Sequence, residues 1–438
     1  MLFTHIDAFD ENLDLMRDVF VGVRGATIAY VGAEPPADAA SFGEAYDGRG
    51  RLLMPALYNA HAHAPMTLLR GYAENLRLQS WLNDRVFPFE ARITPADARP
   101  ATDLAIAEMV RNGVVSFSDM YYHDDARCEA VRDAGVKCNV SYGLVSFDET
   151  DYRATAAAAA NDHLFATWDG ACDGRIKVDM CIHAEYTNSE QVCRQAAEES
   201  AARGSILHVH VAETKAETEA CRQRHDGLSP VAFLERCGAF ASPVLAAHCV
   251  WVDEADMDVL AAHGASVACN PASNMKLASG FAPVPQMLAR GINVAIGTDG
   301  PASNNAHDLF RDLYLFATVY KGASGDPTVV TPRQALFAAT RAGAIAQGRA
   351  DCGQLRVGAR ADLCVLDATA PALWPQTDML ANVVYAGRGS DVVLTMCDGR
   401  VVYRDGVWPT IDVERARAQT QAATQRIIGE LAQDARQH

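Results

Sequence analysis

Short apolar runs recur along the middle of the chain, each followed by a stretch whose apolar residues fall three or four apart. The runs are 53–57, 114–120, 136–142, 176–182, 206–211, 244–247, 265–269 and 293–296. The stretches with helical spacing between them are 95–111, 126–134, 151–167, 189–203, 231–237, 254–263 and 283–290. Near-continuous apolar strands alternating with helices predict a parallel sheet covered on both faces. Eight such units predict an α/β fold of the (β/α)8 TIM-barrel type. Residues 307–321 and 332–347 continue as helices after the eighth strand.

The two ends of the chain carry a different pattern. Residues 18–24 and 27–32 read as short strands punctuated by Gly25 and Gly32. They are too few to fold alone. Residues 362–367, 383–385, 391–397 and 400–403 supply partners, and Asp398-Gly399 is a two-residue hairpin signal. The predicted organisation is a small β-sandwich domain from segments 1–53 and 351–410, enclosing a barrel at 54–350. An amphipathic C-terminal helix follows within 411–438.

Charge and cysteine content narrow the function. The formal charge of −17 argues against nucleic acid or an anionic membrane as partner. No apolar run approaches the ~20 residues of a membrane span. The first fifteen residues are acidic and lack a signal-peptide pattern. The twelve cysteines form no C-x-x-C pair, and several lie in apolar runs. A reducing, cytoplasmic setting is expected, and the protein is expected to act as a homo-oligomer.

In barrels of this kind chemistry gathers where strands end. The first run leads into His61-Ala62-His63. The fourth ends at His183, the fifth in His208-Val209-His210-Val211-Ala212-Glu213, the sixth at His248 and the eighth at Thr298-Asp299. His61, His63, His210 and Asp299 make a three-nitrogen, one-oxygen set that leaves a position for water, as catalytic zinc requires. His208 is expected deeper in the barrel as a packed histidine. Glu213, just past the fifth strand, is placed to reach a substrate. Spacing leaves His248 open between metal ligand and supporting donor.

HAH after the first strand, HxxE after the fifth, HC after the sixth and TDG after the eighth resemble the amidohydrolase superfamily. Met66–Tyr72, Trp81-Leu82, Phe87–Glu90, Asn270–Leu277 and Gly297–Asn305 further resemble its 5-methylthioadenosine/S-adenosylhomocysteine deaminases. Ala56 departs from the family pattern, which has glycine there. The resemblance implies one divalent metal per chain, zinc or alternatively Fe2+, on His61, His63, His210 and Asp299. His183 stands where two-metal members carry a modified lysine. It further implies that His248 contacts the attacking water and that Glu213 shuttles a proton to the ring. Trp81, Glu90, His183 and Ser303 would face a nucleoside substrate.

Two rivals remain at this stage. One is another N-heterocycle (a pterin, guanine, cytosine or triazine) on the same machinery. The other is a metal-free scaffold protein, against which the complete ligand set argues. The loop after the third strand bears on substrate. It carries Phe147, Asp148 and Glu149 and no arginine before Arg153. An apolar ring beside two carboxylates predicts 5′-methylthioadenosine, 5′-deoxyadenosine or adenosine over S-adenosylhomocysteine, whose carboxylate would be repelled.

Overall fold

The computed structural model describes residues 1–147 and 151–437. The N-terminal segment contributes five strands: β1 (Leu2–Phe9), β2 (Leu15–Arg24), β3 (Thr27–Gly32), β4 (Ala45–Asp47) and β5 (Arg51–Pro55). Nine follow: β6 (Leu57–Ala62), β7 (Val114–Tyr121), β8 (Lys137–Tyr142), β9 (Ile176–Val178), β10 (Met180–Ala184), β11 (Leu207–Val211), β12 (Val244–His248), β13 (Ser266–Cys269) and β14 (Asn293–Ile296). The last three are β15 (Leu363–Asp367), β16 (Val392–Cys397) and β17 (Arg400–Arg404).

Both chain ends enter one sheet, in the order β17-β16-β15-β5-β1-β2-β3 with β4 beside β1. Its inner face buries Phe3, Ile6, Val21, Leu53, Val365 and Leu394. The Asp398-Gly399 hairpin forms as predicted, with both residues at positive φ (46° and 75°), the twist a two-residue turn needs. A side chain at Gly399 would strike the Gly25 carbonyl, so the two hairpin turns close against each other.

Strands β6 to β14 form the barrel. Parallel pairing runs β6-β7-β8-β9 and β10-β11-β12-β13-β14. β9 and β10 are one strand interrupted at Asp179, where pairing passes from β8 to β11. The Asp179 amide still donates to Val140, and the Met180 amide to Ile206. A parallel bridge between Ala62 and Asp299 closes the circle. The predicted barrel and the separate β-rich domain are both present.

Four sequence expectations need correction. The run at 53–57 straddles two strands, because β5 belongs to the small sheet and the barrel strand starts at Leu57, later than the 53/54 boundary expected. Residues 383–385 are the end of a helix, Met379–Tyr385. The Asp378 side chain accepts from the Ala381 amide, and that cap outweighs the β-branched pair Val383-Val384. The 332–347 helix is broken at Thr340 into Pro332–Ala339 and Arg341–Ala346. β1 went unpredicted because its Thr4, His5 and Asp7 mask the alternation of a strand paired on both edges. No helix among the described residues is long and apolar enough to cross a membrane.

The two domains are joined by a buried ion pair. Lys137 of β8 donates to both oxygens of Asp362 (2.6 and 2.7 Å) and to Asp398 (2.7 Å), and the Tyr58 hydroxyl also donates to Asp362. Removing one partner strands a buried charge, which costs about 3–5 kcal/mol. Lys137→Met is therefore expected to lower the unfolding free energy by about that amount, measured by denaturant titration. A loss below about 1 kcal/mol would show that the Asp362 carboxylate finds other partners.

Candidate active site

The barrel strands deliver the predicted histidines and acids to one rim. His61 is the last residue but one of β6 and is fully buried, while His63 directly follows the strand end. His63 Nδ1 donates to the Met120 carbonyl (2.5 Å), which turns its Nε2 inward. His210 Nδ1 likewise donates to the His183 carbonyl (2.7 Å). The two Nε2 atoms lie 3.3 Å apart. His61 Nδ1 meets His208 Nε2 at 2.9 Å, and His61 Nε2 is buried without a hydrogen-bond partner. His208 is thus a packed support, as expected.

Asp299 completes the cluster. Its Oδ1 lies 3.5 Å from His61 Nε2 and 3.2 Å from His63 Nε2. Oδ1 also accepts from the Gly300 amide (2.8 Å), and Oδ2 accepts from Ser273 (2.5 Å) and Ser303 (2.8 Å). Asp299 sits at φ 61° and His248 at φ 71°, strained settings of the kind that gather at functional sites. Gly297 makes the approach possible, since a Cβ there would come within 2.8 Å of His61 Cβ.

The electrostatics suit a cation. Burial, opposed by the Asp299 contact, pulls His61 down to about 4. Burial and the neighbouring imidazoles hold His210 well below its usual value. Both are therefore neutral, as metal ligands must be. Burial disfavours the Asp299 charge, but the close His61 and His63 rings and the charge of His63 and His248 outweigh it and hold the carboxyl well below its usual range. Ligand atoms of His61, His63 and His210 lie within 4.8 Å of one another, as do those of His61, His248 and Asp299. The buried, unpartnered His61 Nε2 beside a carboxylate fits a divalent metal and would be costly without one.

Beside this cluster lies a cavity. His63, His210, Glu213, His248 and Asp299 line it together with Trp81, Glu90, His183 and the tyrosines at 121, 122 and 186. Glu213 accepts from Ser279 (3.3 Å) and lies 3.9 Å from His248 Nε2. Burial, only partly offset by the His248 charge, raises its pKa. His248 Nδ1 donates to Asn274 Oδ1 (2.8 Å), leaving Nε2 toward the cavity. Burial lifts Glu90 to about 7.

Residues 52–402 match the model of the amidohydrolase family. The chain belongs to the amidohydrolase family. This amidohydrolase is 40% identical over 382 residues to a 5′-deoxyadenosine deaminase of Methanosarcina acetivorans, covering 87% of this chain and 88% of that one. It is 41% identical over 374 residues to a 5-methylthioadenosine/S-adenosylhomocysteine deaminase of Moorella thermoacetica, covering 85% and 86%. Among solved structures it resembles an adenosine deaminase from Xanthomonas campestris with bound zinc. The TM-score is 0.90 at 30% identity, with 98% of each chain covered.

One predicted substrate contact of this amidohydrolase is placed elsewhere. Ser303 is buried, and its hydroxyl is spent on Asp299 and the Gly300 carbonyl (3.2 Å), so it orients a proposed metal ligand and does not line the cavity. Ser273 holds the same carboxylate oxygen, and Asn270 and Asn274 flank His248. Their segment is marked in the sequence by an Asn-Pro-x-Ser-Asn run directly after a barrel strand, a signal of polar groups at the rim that spacing alone does not assign to a role. The tyrosines at 121, 122 and 186 also went unread, because aromatic residues near strand ends look like core.

Proposed function

We propose that this amidohydrolase is a hydrolytic deaminase of adenosine-type nucleosides, converting the exocyclic amine to a carbonyl with release of ammonia. One observation carries the reading: a single cavity is lined by Glu213, His248 and Asp299 together with Glu90 and Trp81. The relatives named as deaminases of adenosine derivatives support it.

His61, His63, His210 and Asp299 would hold the metal, zinc in this reading, which when bound supplies water acidified towards neutrality. The Asp299 carboxylate, kept ionised, accepts a proton from the attacking water. Ser273 and Ser303 fix its orientation. Glu213, whose pKa is raised by burial, donates to the ring nitrogen next to the carbon under attack. Its loss of a proton there is what makes that carbon electrophilic. His248, steadied by Asn274, presents Nε2 to the oxygen being added. The bond from carbon to the amine breaks last: the proton Asp299 took from the water passes to the nitrogen, which leaves as ammonia, and the hydroxyl proton on the added oxygen returns to Glu213, leaving the carbonyl.

Glu90 is assigned to the ribose hydroxyls. Two hydroxyls donating to a carboxylate make charge-assisted bonds of about 1.5–3 kcal/mol each. Glu90→Ala is thus expected to weaken kcat/KM for adenosine by at least about 100-fold and to leave a ribose-free base little changed. Equal losses on both would favour a ribose-free heterocycle as substrate.

Leu82, Phe87 and Tyr186 line both the cavity and a neighbouring groove, which Phe147 also lines. The groove's arginine, Arg224, already donates to Glu185 through Nε (3.0 Å) and Nη2 (2.7 Å). Arg153 pairs with Asp162 (3.1 Å) and Glu199 (2.6 Å). Asp148 and Glu149 lie outside the described residues. A groove with an apolar ring and an arginine that is already paired supports an uncharged 5′ group, such as methylthio or hydrogen, over an amino acid. Ammonia release across adenosine analogues tests both levels. The expected kcat/KM ratio of 5′-methylthioadenosine to S-adenosylhomocysteine exceeds about 10, the scale of one missing ion pair. A ratio at or below one overturns the 5′-group reading, and silence on every analogue overturns the deaminase.

A further inference from the structure

The cavity wall that carries Trp81 and Glu90 is one continuous helical segment, residues 78–90, with a π-type turn at Leu82–Val86 in its middle. A helix this short and so interrupted has little stability of its own, so its pose is set by what packs behind it. Behind its last turn, Phe87–Glu90, lies the C-terminal helix, Val413–Gln437. Its buried residues Ala416, Thr420, Ala423 and Ile427 fall three or four apart on one face. Ile427 is fully buried in the same apolar cluster as Leu78, Trp81, Leu82, Val86 and Phe89.

Polar contacts fix the helix against the elements on either side of this wall and against its last turn. Thr424 donates to the Leu68 carbonyl (2.8 Å). Arg426 pairs with Asp97 (2.6 Å), whose carboxylate also accepts from the Thr94 amide (2.9 Å). Arg92, ion-paired with Asp434, donates to the Pro88 carbonyl (2.7 Å) inside the last turn. Among the described residues, none of the helix lines the cavity itself.

We infer that the C-terminal helix is a positioning element of the active site: Ile427 and the Arg92–Asp434 pair hold the Trp81–Glu90 wall in its substrate-gripping pose, so the helix sets nucleoside affinity without touching substrate or metal. This rests on the deaminase reading and adds a part of the chain that the barrel chemistry does not require.

The experiment uses the full-length protein with its metal and the variants Ile427→Ala, Ile427→Val and Arg92→Ala. Three quantities are read: KM and kcat for adenosine, the Kd of inosine by calorimetry, and metal content. Ile427→Ala is expected to raise KM and the inosine Kd at least about fivefold while kcat stays within about twofold, the signature of lost uniform binding. Metal content stays at the parent level and Ile427→Val recovers most of the loss. Arg92→Ala, a change at a part-buried position that empties no core cavity, is expected to raise KM in the same direction. Unchanged KM and Kd in Arg92→Ala and in folded Ile427→Ala overturn the inference, as does a fall in kcat together with metal content. An active parent whose variants keep their KM sinks only this inference; a parent that releases no ammonia sinks the deaminase reading beneath it.

Discussion

Alanine at His61, His210 or Asp299 is expected to abolish turnover, and the purified protein is expected to carry about one divalent ion per chain. The effect should be complete because the ligands are not interchangeable with solvent. His61 is fully buried beneath the cluster, and His63 and His210 are each locked by a backbone carbonyl at their far nitrogen. Deleting one imidazole leaves a hole that the fixed neighbours are not free to close. Asp299→Ala removes more than a ligand, since Ser273, Ser303 and the Gly300 amide would lose their shared acceptor. Metal analysis alongside activity decides the matter. Two ions per chain, or full activity after exhaustive chelation, would contradict a one-metal site. The scaffold alternative makes the opposite prediction, that chelation leaves the protein's role untouched.

The barrel was legible because period-two and period-3.6 patterns are written by burial, and each barrel strand is buried on both faces. The rim was legible for a related reason: His and Asp at the ends of apolar runs are costly unless they have work to do. What escaped the sequence lies one contact further out. Nothing in the order of residues says that Ser303 would turn to Asp299, since its direction depends on the loop 299–305 folding back under Gly300. The two strands β5 and β6 read as one because only Ala56 separates them, and the small residue hides a change of sheet. The capped helix Met379–Tyr385 shows the converse, local β propensity yielding to an N-cap and to packing. The buried Lys137–Asp362 pair was invisible because its partners stand 225 positions apart. Spacing along a strand reaches the ligands of a site; it does not reach the groups that hold those ligands.

Glu213→Gln should separate proton transfer from everything else at the site. The two side chains have nearly the same shape, and the amide still accepts from Ser279 through its oxygen. What is lost is the ability to give up a proton to the ring and take one back. Turnover is therefore expected to fall at least about 100-fold, the lower range for general acid–base catalysis. Metal content should be unchanged, because Glu213 lies outside both candidate ligand clusters. Inosine affinity should change little, since neither its oxygen nor its packing is removed. The pH dependence gives a second check. A carboxyl whose folded pKa is raised by burial donates best below that value, so parent activity should decline as pH rises through it. The glutamine variant, with no proton to lose, should lack that decline. If Glu213→Gln instead releases the metal, Glu213 is a ligand, and the acid must be sought elsewhere around the cavity. If it keeps more than about a tenth of parent turnover, proton delivery is not the step Glu213 serves, since even a modest general acid contributes more.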